Sequence, residues 1–444
     1  MLRLALPIIL ARAGWMFMSF VDILMVGRFS THELAYMSLA SSLISVAYVA
    51  MMGMMLGTLV ITSNLFGQRR YSEIGAVWRR SLPYAFALGL AITLLTLVAE
   101  PLLLLSGQEP ELAREAGKVI RIYGYGMPLG GLIYVTSQYF LEGIKRPLPA
   151  MVLTLLANVI NVGLNWVLIY GHLGFDAMGA EGSAWGTMVI RMLLTAGLCY
   201  YIWTMPGARI FGVRKKYTGG FRAWAEQRRL GYAAGLSFGI EHVSFVMLFL
   251  FAGLLGTLDL AAVTIVFNTF GLFFMVSAGI ASATAVHVGI AYGQRSGRNI
   301  ALAGWAGFAL QAIVLFVPML LMVLTPALFA RIYSDDPALI TLAVPLYILG
   351  GLALLLDTTQ TLWSNALRGR HDKWFTTVSH FVSYFLLMIP LSWYFAFTLG
   401  RRGEGLFEAL IIASIVSVVL LTGRFLWLSR RDRRSATGFS GKLV

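Results

Sequence analysis

The chain has 444 residues, of which 58% are hydrophobic and only 12% charged, well under the charged share of about 25% in soluble domains. That composition excludes a water-soluble globular protein and makes bilayer-spanning helices the expected fold. The formal net charge of +14 would suit nucleic-acid binding if the cations shared one face; they are scattered through many short loops, which excludes it.

Twelve apolar stretches of spanning length follow one another, near residues 4–26, 34–66, 81–105, 117–141, 148–170, 182–205, 231–254, 258–291, 301–328, 339–366, 375–399 and 406–429. The first is too long for the apolar run of a signal peptide and carries Arg12 and Asp22, so it reads as a span. The second and eighth exceed the bilayer thickness and must protrude or tilt. Gly53 and Gly57 in the second span, and Gly126 and Gly130 in the fourth, are spaced for close helix packing. Pro7, Pro128 and Pro318 fall within spans, where each frees a carbonyl and permits a bend. The one cysteine, Cys199, lies in the sixth span, so no intramolecular disulfide forms. With the N-terminus inside, the inner loops take cations such as Arg69, Arg70, Lys145, Arg146, Arg295 and Arg370, and the outer loops take few. Both termini are therefore expected in the cytoplasm.

The chain is written twice. Gly27, Thr31 and Glu33-Leu34-Ala35 recur as Gly253, Thr257 and Asp259-Leu260-Ala261, so position 27 moves to 253, a displacement of 226. The same displacement takes Gly53 to Gly279, Thr58 to Thr284, Gly67-Gln68-Arg69 to Gly293-Gln294-Arg295, and Leu141-Glu142-Gly143 to Leu367-Arg368-Gly369. An ungapped register over this length implies two equivalent halves, the mark of a secondary transporter. The expected organisation is an N-lobe over 1–205, a basic cytoplasmic linker over 206–230, a C-lobe over 231–429 and a basic tail over 430–444. Each half holds an even number of spans, so the two share one orientation and relate by an axis along the membrane normal, with the substrate path expected between them.

Ionisable residues inside spans are the candidate functional groups. Asp22, Glu241 and Asp357, charged and unpaired, would together cost about 7 to 10 kcal/mol on insertion scales, comparable to the net stability of a whole protein at about 5 to 15 kcal/mol. Each must be paired, hydrated, cation-bound or protonated, and a group that alternates between such forms can couple an ion gradient to a conformational change. At the 226 displacement these acids face Leu248, Trp15 and Gly131, so none belongs to the shared scaffold. Asn161 and Asn165, four apart on one helix face, offer amide oxygens for a hard cation beside Asp22 or interhelical hydrogen bonds. Arg12, Arg121 and Arg191 are candidate counter-charges; His242, His287 and His380 stand isolated in the sequence.

The stretch Leu4-Ala5-Leu6-Pro7, Val21-Asp22-Ile23-Leu24-Met25-Val26-Gly27, Gly67-Gln68, Leu164-Asn165-Trp166 and Leu367-Arg368-Gly369 resembles the multidrug and toxic compound extrusion (MATE) family from about Leu4 to the twelfth span. The resemblance implies an all-α integral membrane protein of twelve transmembrane helices in two six-helix bundles around a central cleft. It also implies export of lipophilic, often cationic drugs in exchange for sodium or protons. Asp22 matches the first-helix acid of ion coupling, with Asn161, Asn165 and Thr187 as its polar neighbours in a possible sodium site. Glu241 and Asp357, in Ser237-Phe238-Gly239-Ile240-Glu241 and Asp357-Thr358-Thr359-Gln360, match the C-lobe acids of the NorM-type branch.

Two positions depart from the pattern: Asn165 stands where some relatives have Asp, and Ala353 where a NorM-type relative offers Tyr. The pattern also implies a short segment ahead of the first helix.

The functional expectation is a sodium- or proton-coupled drug antiporter working by alternating access. It would be a monomer in the bacterial inner membrane, meeting membrane lipids and small-molecule drugs, with no cofactor beyond the coupling ion. A flippase for lipid-linked precursors is the alternative from the same superfamily; its large anionic headgroup would select cationic residues within the cleft, whereas the acids found here favour a cationic ligand. An intramembrane enzyme is the alternative of a different class; a His-Glu-x-x-His metal motif, a Gly-x-Ser-x-Gly elbow and a phosphate loop are all expected to be absent.

Overall fold

A computed structural model of the chain describes residues 1–215 and 220–440; positions 216–219 of the basic linker and 441–444 of the tail lie outside the described residues. Among the described residues the fold is helical throughout. The first half runs through α1 (Leu2–Phe29), α2 (Thr31–Gly67), α3 (Tyr71–Leu97), the short α4 (Ala99–Leu105), α5 (Pro110–Gly126), α6 (Leu132–Gly143), α7 (Leu148–Tyr170) and α8 (Gly179–Thr204). The second runs through α9 (Ala225–Leu255), α10 (Thr257–Gly293), α11 (Gly297–Leu324), α12 (Pro326–Tyr333), α13 (Pro337–Gly369), α14 (Phe375–His380), α15 (Ile389–Trp393) and α16 (Arg402–Ser440). Eleven helical runs among the described residues are long and apolar enough to cross a bilayer. The expected fourth span is helical from Pro110 to Gly143 but less apolar, diluted by Gly124, Gly126, Gly130, Gly131, Gln138 and Glu142.

Duplication governs the helix ends. Helix α2 spans Thr31–Gly67 and α10 spans Thr257–Gly293, 37 residues each and the same interval after displacement by 226. At about 55 Å each overruns a hydrocarbon core of about 30 Å, as their length in sequence required. The turns that follow them also match: Arg69 and Arg295 both take left-handed backbone, with φ of 61° and 55°. The repeated acid has one role in both halves, holding the start of the last long helix. Glu33 accepts a hydrogen bond from the Ala180 backbone N–H at 2.8 Å in α8, and Asp259 pairs with Arg402 at the start of α16.

The halves differ where α-helix gives way to π-helix. Pro128 cannot donate a backbone hydrogen bond, and it sits in the π-turn Met127–Gly131 between α5 and α6. The equivalent 353–357 stretch of α13 is regular α-helix and ends on Asp357. Conversely, the π-segment Phe381–Met388 joins α14 to α15, while its counterpart at 155–162 lies inside regular α7. A second π-turn, Tyr394–Thr398, follows α15.

Two compact units emerge, Leu10–Gly235 and Met1–Ile9 with Leu236–Val444, so the divisions fall within α1 and α9. In the first unit, Gln227 at the start of α9 donates to Ser81 and Thr58 at 2.5 and 3.1 Å, and accepts from Arg80 at 2.6 Å. Part of the stretch expected as linker is thus helical from Ala225, and its earlier turns are anchored by Gly75 N–H donating to the Phe211 carbonyl at 2.7 Å. The core of the second unit gathers Leu248, Val266, Tyr347, Tyr384 and Phe407. Outer faces are apolar, with Val159 73%, Ile313 71% and Val419 63% exposed, as a lipid-facing surface requires.

Close packing tolerates no side chain at Gly57, where an added Cβ would collide with the backbone carbonyl of Gln227. Gly126 and Gly130 likewise pack against Met188 and Arg191 of α8. Gly57→Leu should therefore cost about 1–3 kcal/mol or more and lower the melting temperature in detergent. Gly163→Leu, which meets nothing within 4 Å, should leave it unchanged.

Candidate ion-coupling and drug-binding sites

Each unit holds an acidic site among its helices, around buried Asp22 in the first and around buried Asp357 and partly buried Glu241 in the second. In the first, α1 presents Asp22, α7 presents Asn161 and Asn165, and α8 presents Thr187. All four are buried, with Asp22 7% exposed. Asn165 Nδ2 donates to Asp22 Oδ1 at 2.6 Å and Thr187 Oγ1 donates to Asp22 Oδ2 at 3.1 Å. Asn165 Nδ2 also lies 3.4 Å from Asn161 Oδ1. The residues expected to surround Asp22 are therefore brought together by three helices. Asn165 Oδ1 is buried without a hydrogen-bond donor, so rotation of that amide would present an oxygen where it now presents N–H. With the carboxylate, Asn161 Oδ1 and Thr187 Oγ1, this forms an oxygen set of the kind a hard monovalent cation takes.

Asp22 lines a cavity of about 160 Å³ together with Trp15, Tyr48, Tyr123, Thr187 and Arg191. Arg191 stands one turn beyond Thr187, its guanidinium carbon 5.4 Å from the ring centroids of both Trp15 and Tyr48. Of the three candidate counter-charges it is the one placed beside Asp22. Arg121 pairs with Glu100 at 3.2 Å instead, and Arg12 lies beside Tyr139.

In the second unit Glu241 of α9 and Asp357 of α13 meet through Gln360, one turn along α13. Gln360 Nε2 donates to Glu241 Oε1 at 3.0 Å and lies 3.4 Å from Asp357 Oδ1. Tyr384 OH donates to Asp357 Oδ1 at 2.6 Å, while Asp357 Oδ2 is buried without a donor. Two carboxyl groups sharing one amide in low dielectric do not both carry charge at low cost. Ala353 adds no ligand here, in keeping with its side chain.

His380 is not isolated as its sequence position suggested. Its Nδ1 lies 2.9 Å from Ser237 Oγ and 3.5 Å from Glu241 Oε2. Arg368 Nη2 donates to the same Ser237 oxygen at 2.8 Å. Gln360 and Tyr384 are likewise site residues that sequence reasoning missed; Glu241 lies 119 positions from Gln360 and Asp357 lies 27 from Tyr384, although Asp357 and Gln360 are one helical turn apart. Gly235-Leu236-Ser237-Phe238-Gly239 has the spacing of a nucleophile elbow, contrary to the expectation that the sequence holds none. The stretch lies inside α9, with no strand-to-helix turn, and Ser237 and Glu241 approach the same imidazole nitrogen. A proton relay from serine through histidine to an acid needs both ring nitrogens, so this is no hydrolytic triad.

The MatE family model matches the chain twice, over residues 7–167 and 233–394, and the two matches start 226 positions apart as the duplication does. The chain is 37% identical to the probable multidrug resistance protein NorM of Caulobacter vibrioides over 437 residues, covering 98% of this chain and 93% of that protein. It is 29% identical to the multidrug resistance protein PmpM of Pseudomonas aeruginosa, covering 99% and 92%. Among solved structures, the eukaryotic MATE transporter AtDTX14 superposes with a TM-score of 0.87 at 19% identity, covering 98% of this chain and 97% of that one. An outward-facing multidrug resistance MATE family transporter of the MOP superfamily gives 0.87 at 18%, covering 96% and 95%. The chain is a multi-pass membrane protein of the MatE family of transporters, and not an enzyme.

Proposed function

We propose that this protein exports lipophilic, mostly cationic drugs in exchange for an entering cation, with the buried acids as shared binding groups. The observation that carries the reading is the pairing of Glu241 and Asp357 through a single amide, which leaves one Asp357 oxygen free to take a positive charge. A drug ammonium and a proton or sodium ion satisfy the same vacancy, so the two exclude each other, as exchange requires. The multidrug resistance names of NorM and PmpM support the drug as cargo. In this reading the two six-helix halves, 1–205 and 231–429, expose these acids alternately to the two sides of a bacterial inner membrane, with both termini cytoplasmic and the protein a monomer among lipids. Each charge crossing the membrane potential supplies about 2.3 kcal/mol per 100 mV.

The coupling ion is read separately for each unit. Around Asp22 the oxygens of Asn161, Asn165 and Thr187 suit sodium, although Asn165 adds no charge to hold it. In the second unit Ala353 adds no oxygen ligand, which favours the proton there. Arg191 beside Asp22 is the one observation that favours a ligand with an anionic group, as a flippase would require.

Asp22→Asn keeps an oxygen for Asn165 and Thr187 but removes the charge. It should slow gradient-driven ethidium efflux from proteoliposomes by at least about tenfold with little change in melting temperature; unchanged efflux would remove Asp22 from coupling. Asn165→Asp adds a second carboxylate, and should lower the sodium concentration for half-maximal efflux by about tenfold. The measurement is a sodium titration at fixed pH, in which an unchanged midpoint argues against sodium at this site.

A further inference from the structure

The duplication separates what the fold needs from what it does not. Displaced by 226, Glu241, Gln360 and His380 fall on Trp15, Tyr134 and Thr154. In the first unit these three form a neutral chain. Trp15 Nε1 donates to Tyr134 OH at 3.2 Å, Tyr134 OH and Thr154 Oγ1 are 2.9 Å apart, and Thr154 Oγ1 reaches the Ala150 carbonyl at 2.8 Å. The same three stations in the second unit carry an acid, an amide and an imidazole. Helix packing therefore asks only for hydrogen bonds here, and an ionisable set is not a folding requirement. The backbone diverges at the same place, because the π-segment Phe381–Met388 begins directly after His380 while the residues after Thr154 stay α-helical. Interruptions of this kind recur at functional sites.

We propose that His380 is the proton-holding partner of Glu241, passing a proton to and from that carboxyl as cargo and coupling ion exchange. The inference rests on the antiport reading above. Nδ1 faces two groups, hydrogen-bonded to Ser237 Oγ at 2.9 Å and 3.5 Å from Glu241 Oε2, and so has two possible proton arrangements. In the first, Ser237 Oγ accepts from Arg368 and donates its own proton to Nδ1. The ring is then neutral with its proton on Nε2, and Glu241 keeps its own proton. In the second, the O–H bond of Glu241 breaks and an N–H bond forms at Nδ1, leaving an imidazolium facing a carboxylate; only the proton moves, and Ser237 turns its proton away.

Burial and the charges around the ring decide between the two. Burial opposes the imidazolium, as does Arg368 from α13; carboxylates at Glu241 from α9 and Asp357 from α13 favour it. Tyr384 lies edge-on with its centroid 5.6 Å away, and α16 enters through Ser414, 3.4 Å from Tyr384 OH. Nε2 is buried without a hydrogen-bond partner, so the imidazolium is poorly held and returns its proton from Nδ1 to Glu241. A drug cation settling on Glu241 replaces the attraction that kept the proton at Nδ1, which makes drug and proton mutually exclusive through this residue.

The test uses full-length protein in proteoliposomes, as wild type, His380→Gln and His380→Thr. Gln keeps a hydrogen-bond acceptor for Ser237 without a titrating proton, and Thr is the residue with which the other half folds at this station. In both variants ethidium binding should lose much of its dependence on pH. Their proton-driven ethidium efflux should fall by about tenfold to a hundredfold, and its pH midpoint should move by about one unit. Variants whose rate and pH midpoint match a working wild type would overturn the role of His380 alone. A wild type that no pH gradient drives would overturn the proton-exchange reading with it.

Discussion

Everything in this protein turns on the cost of charge in a low-dielectric interior. A carboxylate taken from water into a bilayer needs a partner, and the helices around Asp22, Glu241 and Asp357 supply only partial ones. Asp22 receives an amide and a hydroxyl; Asp357 receives a phenol and a shared amide, with one oxygen left over. Those donors are enough to hold the side chains in place and too few to replace a positive charge. A site balanced in this way stays empty only at a cost, which is the condition under which one cation is given up as another arrives.

The duplicated frame makes that imbalance affordable to the fold. Helices α2 and α10 share their bounds, Arg69 and Arg295 share their left-handed turn, and Glu33 and Asp259 hold the last long helix of each half. These contacts are present in both copies. Differences collect elsewhere: acids on one side face Leu248, Trp15 or Gly131 on the other, and the π-segments fall in non-equivalent helices. Contacts that hold the helices are thus shared by the copies, and Asp22, Glu241 and Asp357 stand where the copies part.

Much of this was legible in the residues. Apolar length located the spans, and the overlong second and eighth emerged as 37-residue helices. Membrane exclusion of charge picked out Asp22, Glu241 and Asp357, and the four-residue spacing of Asn161 and Asn165 placed both amides on the face turned to Asp22. Other features were not legible because they depend on which helices meet. Nothing local to Tyr384, Gln360 or His380 reveals that α9, α13 and the α14 region converge, and a lone histidine among apolar residues reads as packing. Arg191 carried no local sign that it would stand beside Asp22 when Arg121 would turn to Glu100. The fourth span reads as one helix from its apolar content, while Pro128 with Gly130 and Gly131 opens a π-turn inside it.

The central claim is that drug and coupling cation compete for one buried negative charge. It is tested most directly by counting protons released when a cationic drug binds to purified protein in weakly buffered, sodium-free solution. Competition predicts release of roughly one proton per drug bound near neutral pH, falling as the pH is raised and the acids lose their protons beforehand. Saturable drug binding with no proton release at any pH between 5 and 9, and no displacement by sodium, would contradict it.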